Sequence, residues 1–133
     1  MSKAYRSDAV LAQTPAADYK LYKGYLVTLA AGVATVNAST SVLSKCVIIE
    51  VNDTTAGFAS EKVSVALLCA SKGTVPMRLG GTVAAGAFVA QYSDGTVITD
   101  AGSGARVIVG IACEGGVAGE LVEVAPMAAI TLS

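Results

Sequence analysis

The feature that most limits this chain is its punctuation. From Tyr25 onward, short runs of Val, Ile, Leu and Thr are cut every few residues by Gly, Asn, Asp, Ser or Pro. The richest apolar runs, such as Val83–Ala90, stop after eight residues. A membrane-spanning helix needs roughly 18–20, so no stretch of this sequence crosses a bilayer in that way. Short β-rich runs at this spacing read instead as the strands of a small all-β domain.

The runs can be placed one by one. Tyr25–Leu29 and Val33–Val36 flank Ala30-Ala31-Gly32. Cys46–Val51 is a strand stopped by Asn52-Asp53-Thr54-Thr55. Lys62–Leu68 alternates, with Val63, Val65 and Leu67 on one face. A helix over Ser60–Ser71 is the competitor there, but the period of two and the lack of an i, i+3, i+4, i+7 stripe decide for strand. Thr74–Leu79 is a further strand, and Pro76 pushes it toward an edge because proline cannot donate to a ladder. Phe88–Tyr92 and Thr96–Thr99 flank Ser93-Asp94-Gly95, and Asp94-Gly95 is a strong hairpin-turn signal. Val107–Cys113 is apolar on both faces, as a central strand is. Leu121–Val124 alternates around Glu123, and Pro126–Ser133 adds either a last edge strand or an extended arm. There is also an internal echo. Cys46–Val51, a loop and Glu61–Ala66 resemble Val107–Cys113, a loop and Glu120–Ala125. Two such strand–loop–strand units would pair in one barrel. The expected fold is all-β, a small antiparallel β-barrel or sandwich with an extended N-terminal arm.

That arm is residues 1–24, with a single β domain over residues 25–133. The arm holds six of the nineteen charged residues, Pro15, and Tyr5, Tyr19 and Tyr22, with Tyr25 just after it. It shows no clean period beyond a short helical turn around Asp8–Gln13. Polar termini are commonly loose, but tyrosines offer large contact areas with a polar tip and suit interfaces. Tyr5, Leu11, Tyr19, Tyr22 and Tyr25 are therefore the expected anchors of an arm that orders on a partner.

Composition narrows function mainly by subtraction. With 133 residues the chain fits one domain, of roughly 6,400 Å² accessible surface. Of its residues 53% are hydrophobic and 14% charged, with Ala (24), Val (18) and Gly (14) dominant. That is too hydrophobic for disorder and too poor in charge to cover a lone globule, which favours burial against other chains. Nine basic against ten acidic residues give a net charge of −1, without the basic excess that phosphate-backbone binding needs. There is no His, which removes the usual general base and the commonest metal ligand together. Cys46, Cys69 and Cys113 lie 23 and 44 positions apart. That spacing holds no zinc motif and points to reduced thiols; Cys69 and Cys113 sit in apolar stretches, as small buried hydrophobes do. The start, Met1–Asp8, lacks the apolar segment of a secretory signal, so the Asn37 and Asn52 sequons read as chance matches. The Gly102–Arg106 and Gly115–Gly119 stretches precede strands, not helices, and read as turns, not phosphate cradles. Asp53, Asp94, Asp100, Glu114 and Glu120 fall at loop tips with nothing to pair them. No cofactor, metal site or catalytic residue is expected, and no nucleic-acid or membrane partner.

Four segments, in order, resemble the capsid cement, or head decoration, proteins of tailed bacteriophages. Gly24-Tyr25-Leu26-Val27-Thr28-Leu29 looks like that family's first strand. The stretch Ala85–Thr99, with its Asp94-Gly95 turn, looks like its hairpin. Gly110-Ile111-Ala112 and Gly119–Val124 follow in the family's order. The arm, the three cysteines and a longer middle between Leu29 and Val83 depart from the pattern. The resemblance implies a non-enzymatic virion protein made in the host cytoplasm and mounted on the outer capsid surface. Its partner would be the major capsid protein, and it would sit at capsomer junctions as a homo-oligomer, a homotrimer before a dimer, and stabilise the shell. Two other functions stay open: a β-rich binding module of a phage or cell surface, such as a tail or fibre subunit, which a long fibrous pattern would favour, and a small-ligand barrel, which converging polar residues on inward positions would favour.

Overall fold

The computed structural model describes residues 10–51, 62–70 and 73–133. Its regular elements are ten strands in two five-stranded sheets. The first sheet contains β1 (Val10–Pro15), β2 (Leu26–Ala30), β3 (Val33–Val36), β4 (Cys46–Glu50) and β5 (Val63–Leu67). It closes into a barrel in the order β1-β3-β2-β4-β5, because β1 pairs antiparallel with β5 and parallel with β3. The second sheet contains β6 (Val75–Arg78), β7 (Phe88–Gln91), β8 (Val97–Thr99), β9 (Arg106–Ala112) and β10 (Leu121–Leu132), in the order β6-β10-β9-β7-β8. All-β is thus the fold.

The two sheets repeat one plan. In each, a leading strand pairs with the last, and two hairpins lie side by side between them. The registers match pair for pair. Leu11↔Val65 in the barrel corresponds to Val75↔Val124, Ile48↔Val65 to Ala112↔Val124, and Val27↔Cys46 to Val89↔Gly110. The parallel pair Pro15↔Ala34 has its counterpart in a single parallel bridge, Leu79↔Val97. One sheet is a closed barrel, and the other curls until one bridge joins its ends. The sequence echo is this repeat: Val63, Val65 and Ala66 occupy the places of Val122, Val124 and Ala125. The two echoing hairpins do not pair with each other in one barrel, as the sequence reading expects. Each belongs to its own sheet.

Side chains alternate between two cores, as the strand period of two requires. Val27, Ala34, Cys46, Ile48, Val63 and Val65 fill the barrel interior. The opposite faces of the same barrel strands carry Leu26, Val47 and Ala66, and these join Val75, Met77, Val89, Val109 and Val124 in the second core. The barrel wall is therefore apolar on both sides. Pro76 lies on the edge strand β6 and the doubly apolar β9 is the middle strand of its sheet, both as the sequence indicates.

The N-terminal reading needs correction. The β domain begins at Val10, not Tyr25, because β1 is a stave of the barrel with four partners on β5. Residues from Val10 are strand, so no helical turn runs to Gln13; Asp8 and Ala9 lie outside the described residues. The ladder with a strand some fifty residues away overrides a local pattern that shows no period. The possible tail arm is likewise resolved: residues 121–132 form one long strand with a bulge between Pro126 and Ile130. Deleting residues 2–20 is therefore expected to abolish the cooperative unfolding transition, because the barrel loses its closing stave. Deleting residues 2–9 should keep it. Urea denaturation followed by far-UV circular dichroism of the two truncations checks this.

Candidate functional site

The expected arm anchors are mostly consumed inside the molecule. Leu11 lies on β1 against the barrel core, and Tyr19 is only 7% exposed. The Tyr19 hydroxyl accepts a hydrogen bond from the Val36 N–H at 3.0 Å. Tyr22 bridges it to Tyr25, with ring centroids 5.1 and 4.6 Å apart and tilts near 50°, a geometry the ring quadrupoles favour. The three rings form a chain of tilted contacts, with Tyr19 in the barrel core and Tyr22 packed against it. They are half-buried or buried, so they are not free to anchor an arm elsewhere. Tyr5 lies outside the described residues.

The Asp94-Gly95 turn is where the sequence reading places it, between β7 and β8, and it does more than reverse the chain. Gly95 has φ of 87°, and its carbonyl accepts the Leu26 N–H at 2.8 Å. A Cβ there would stand 2.6 Å from Val36 and 3.1 Å from Tyr25. Only glycine allows both the backbone angle and this approach. Asp94 accepts from the Thr96 N–H at 3.0 Å and from the Thr96 hydroxyl. The hairpin tip thus clips the second sheet to the first.

A second clasp was not legible. Gln91, at the end of β7, is 3% exposed. Its Oε1 accepts from the Ser44 N–H at 3.0 Å and the Ser44 hydroxyl at 2.7 Å. Its Nε2 donates to the carbonyls of Ser39 (3.0 Å) and Val42 (2.6 Å). Asn37 completes the network, with Nδ2 reaching the Val42 carbonyl and Ser44 Oγ, both at 2.8 Å. In the barrel the position of Gln91 is held by Leu29. Only the loop that docks on β7 explains an amide there, and nothing local announces it.

Candidate chemistry is sparse. Among the described residues no three His, Cys, Asp or Glu side chains come together as a metal site would need. A cleft of about 420 Å³ is lined by Leu21, Tyr25, Arg78, Asp94 and Thr96 among others. Arg78 is already committed there, donating to the carbonyls of Gly119 (2.8 Å) and Lys23 (3.3 Å). Asp100 pairs with Arg106, whose hydrogen bond, ahead of that from the Gly102 N–H, holds the carboxyl below its ordinary range. Asp53 lies outside the described residues. Glu114 and Glu120 each cap a nearby backbone N–H, of Glu123 and Val117. The cysteine reading is corrected: Cys69 and Cys113 are exposed, since each falls just past a strand end, and Cys46 is the buried thiol. Burial first, and the neighbouring Cys69 second, push Cys46 from 9.0 up to about 11.

What the surface does offer is apolar area. Phe88 and Ile130 are 48% and 50% exposed, and with Ile108, Met127 and Leu132 they line a groove of about 260 Å³ beside β10. Comparisons with protein-family models, with curated proteins and with solved structures return no match.

Two outcomes follow from the clasp and the thiols. Replacing Gln91 with Leu, the residue of the sister position, should cost about 2–3 kcal/mol, because the buried Ser44 N–H and the half-buried Ser39 carbonyl lose their partner. Urea midpoints at unchanged m-value check it. Cys69 and Cys113 should be alkylated by iodoacetamide at pH 8 while Cys46 resists until the chain unfolds, which mass spectrometry reads directly. Because the folded state holds the Cys46 proton more tightly than the unfolded state, its contribution to stability is intact below pH 9 and lost between pH 9 and about 11.

Proposed function

We propose that this protein is a structural component of a tailed-bacteriophage head, a capsid cement or decoration protein. It binds the outer surface of the shell at capsomer junctions, as a homotrimer on the major capsid protein, and stabilises the shell without catalysing a reaction. The observation that carries this reading is the run of four family-like segments. They become β2, the β7–β8 hairpin, β9 and the start of β10, and the last three are neighbours in one sheet. That three of the four segments fall on neighbouring strands supports reading them together as one unit of the fold.

The physical mechanism is linkage. A protein that binds only the mature shell lowers that state's free energy at each occupied site, by about 2.7 kcal/mol at a hundred times the dissociation constant. An oligomer with several attachment points adds effective concentration to this. The barrel interior favours a surface role over a ligand barrel, since valines, Ala34, Cys46, Ile48 and Tyr19 pack in it and the Tyr19 hydroxyl is taken up by the Val36 N–H.

The test is to mix purified protein with heads lacking it, sediment the particles and image them by electron microscopy. The expected result is saturable binding at capsomer junctions and a raised melting temperature of the shell. Particles that emerge bare at saturating protein would overturn the reading.

A further inference from the structure

The internal repeat allows a comparison within one chain. On the barrel, the outward face carries Leu26, Val47 and Ala66, followed one position past β5 by Leu68. All four are buried, because the second sheet covers them. The matched registers assign each a counterpart on the second sheet: Phe88 for Leu26, Ile111 for Val47, Ala125 for Ala66 and, one position on, Met127 for Leu68. All four counterparts are apolar. Yet Phe88 and Ala125 are exposed, and Ile111 and Met127 are only half-buried. A sheet face meant for water carries polar side chains at alternate positions. This face has kept the composition of one that is covered.

The strand beside it has the same character. β10 pairs with β6 only over residues 121–124. From Ala125 to Leu132, no strand among the described residues pairs with the edge of β10 that faces away from β9. The segment from Ala125 onward carries no charge, and Ile130 and Leu132 stand exposed on it. Pro126 and the bulge after it interrupt this edge, but it carries none of the charges that keep exposed strand edges apart. The ionic groups at the groove, Asp100 and Arg106, neutralise each other, so the patch presents no net charge to an incoming surface.

We propose that this face, centred on Phe88, Ile111, Met127 and Ile130 and bordered by the free edge of β10, is the contact through which a second copy of this chain binds. The occupant is argued from the repeat: the one covered example of this face is covered by a sheet of this chain, and a neutral patch suits a like copy of near-zero net charge. The proposal deepens the oligomer part of the proposed function and needs no shell to be tested. Failure to bind phage heads therefore leaves it standing, and its own failure leaves head binding standing.

The experiment is sedimentation equilibrium of the full chain from about 1 to 200 µM, with Phe88→Glu and Ile130→Glu variants and circular dichroism as the folding control. The unaltered chain is expected to associate, and a folded variant to weaken its dissociation constant at least about 30-fold, the worth of a buried aromatic anchor. Should both variants misfold, amide exchange over residues 125–132 of the unaltered protein at the two ends of that range decides. Protection that falls on dilution supports the contact. A monomeric unaltered chain at 200 µM, folded variants with unchanged mass, or protection independent of concentration overturns it, the first outcome giving the face to a different partner.

Discussion

The structure depends on a barrel wall that is wanted on both sides. Alternate residues of β2, β4 and β5 point inward to one core and outward to another: Val27 against Leu26, Ile48 against Val47, Val65 against Ala66. At roughly 25 cal/mol for each Å² of apolar surface buried, neither core could be large in a chain this rich in Ala and Val. Sharing one wall lets the same three strands serve both. The two clasps, Gln91 on the 37–44 loop and the Gly95 carbonyl on Leu26, then hold the second sheet in register with that wall.

The sharing also accounts for what could be seen in advance. Alternation, Pro76 and the Asp94-Gly95 turn are local signals, and each placed its element: β5, the edge strand β6 and the β7–β8 hairpin. The apolar run of β9 identified a central strand because burial on both faces leaves no period to disguise it. β1 escaped because Val-Leu-Ala-Gln-Thr-Pro has no alternation of its own, and its strand character comes from β5 and β3. Tyr19, Tyr22 and Tyr25 were given to an outside partner, since a sequence does not show that Tyr19 folds back to meet the Val36 amide. Cys69 and Cys113 looked buried from their neighbours, and the end of a strand exposed them. Gln91 carried no signal at all, because its partners lie about fifty residues away.

For function, the arrangement turns attention from pockets to faces. Arg78 is tied to backbone carbonyls, Asp100 and Arg106 to each other, and apolar side chains pack in the barrel interior. Large apolar side chains stand exposed on the second sheet instead, beside a strand edge without charge.

The closure of the barrel sets an order in time as well as in space. β1 leaves the ribosome well before β5, whose residues are made about fifty positions later, and pairings of such long reach are slow to form. Until β6–β10 follow, the face of Leu26, Val47 and Ala66 has no cover. A chain interrupted midway would leave that apolar face open, the kind of surface that makes incomplete chains prone to aggregate.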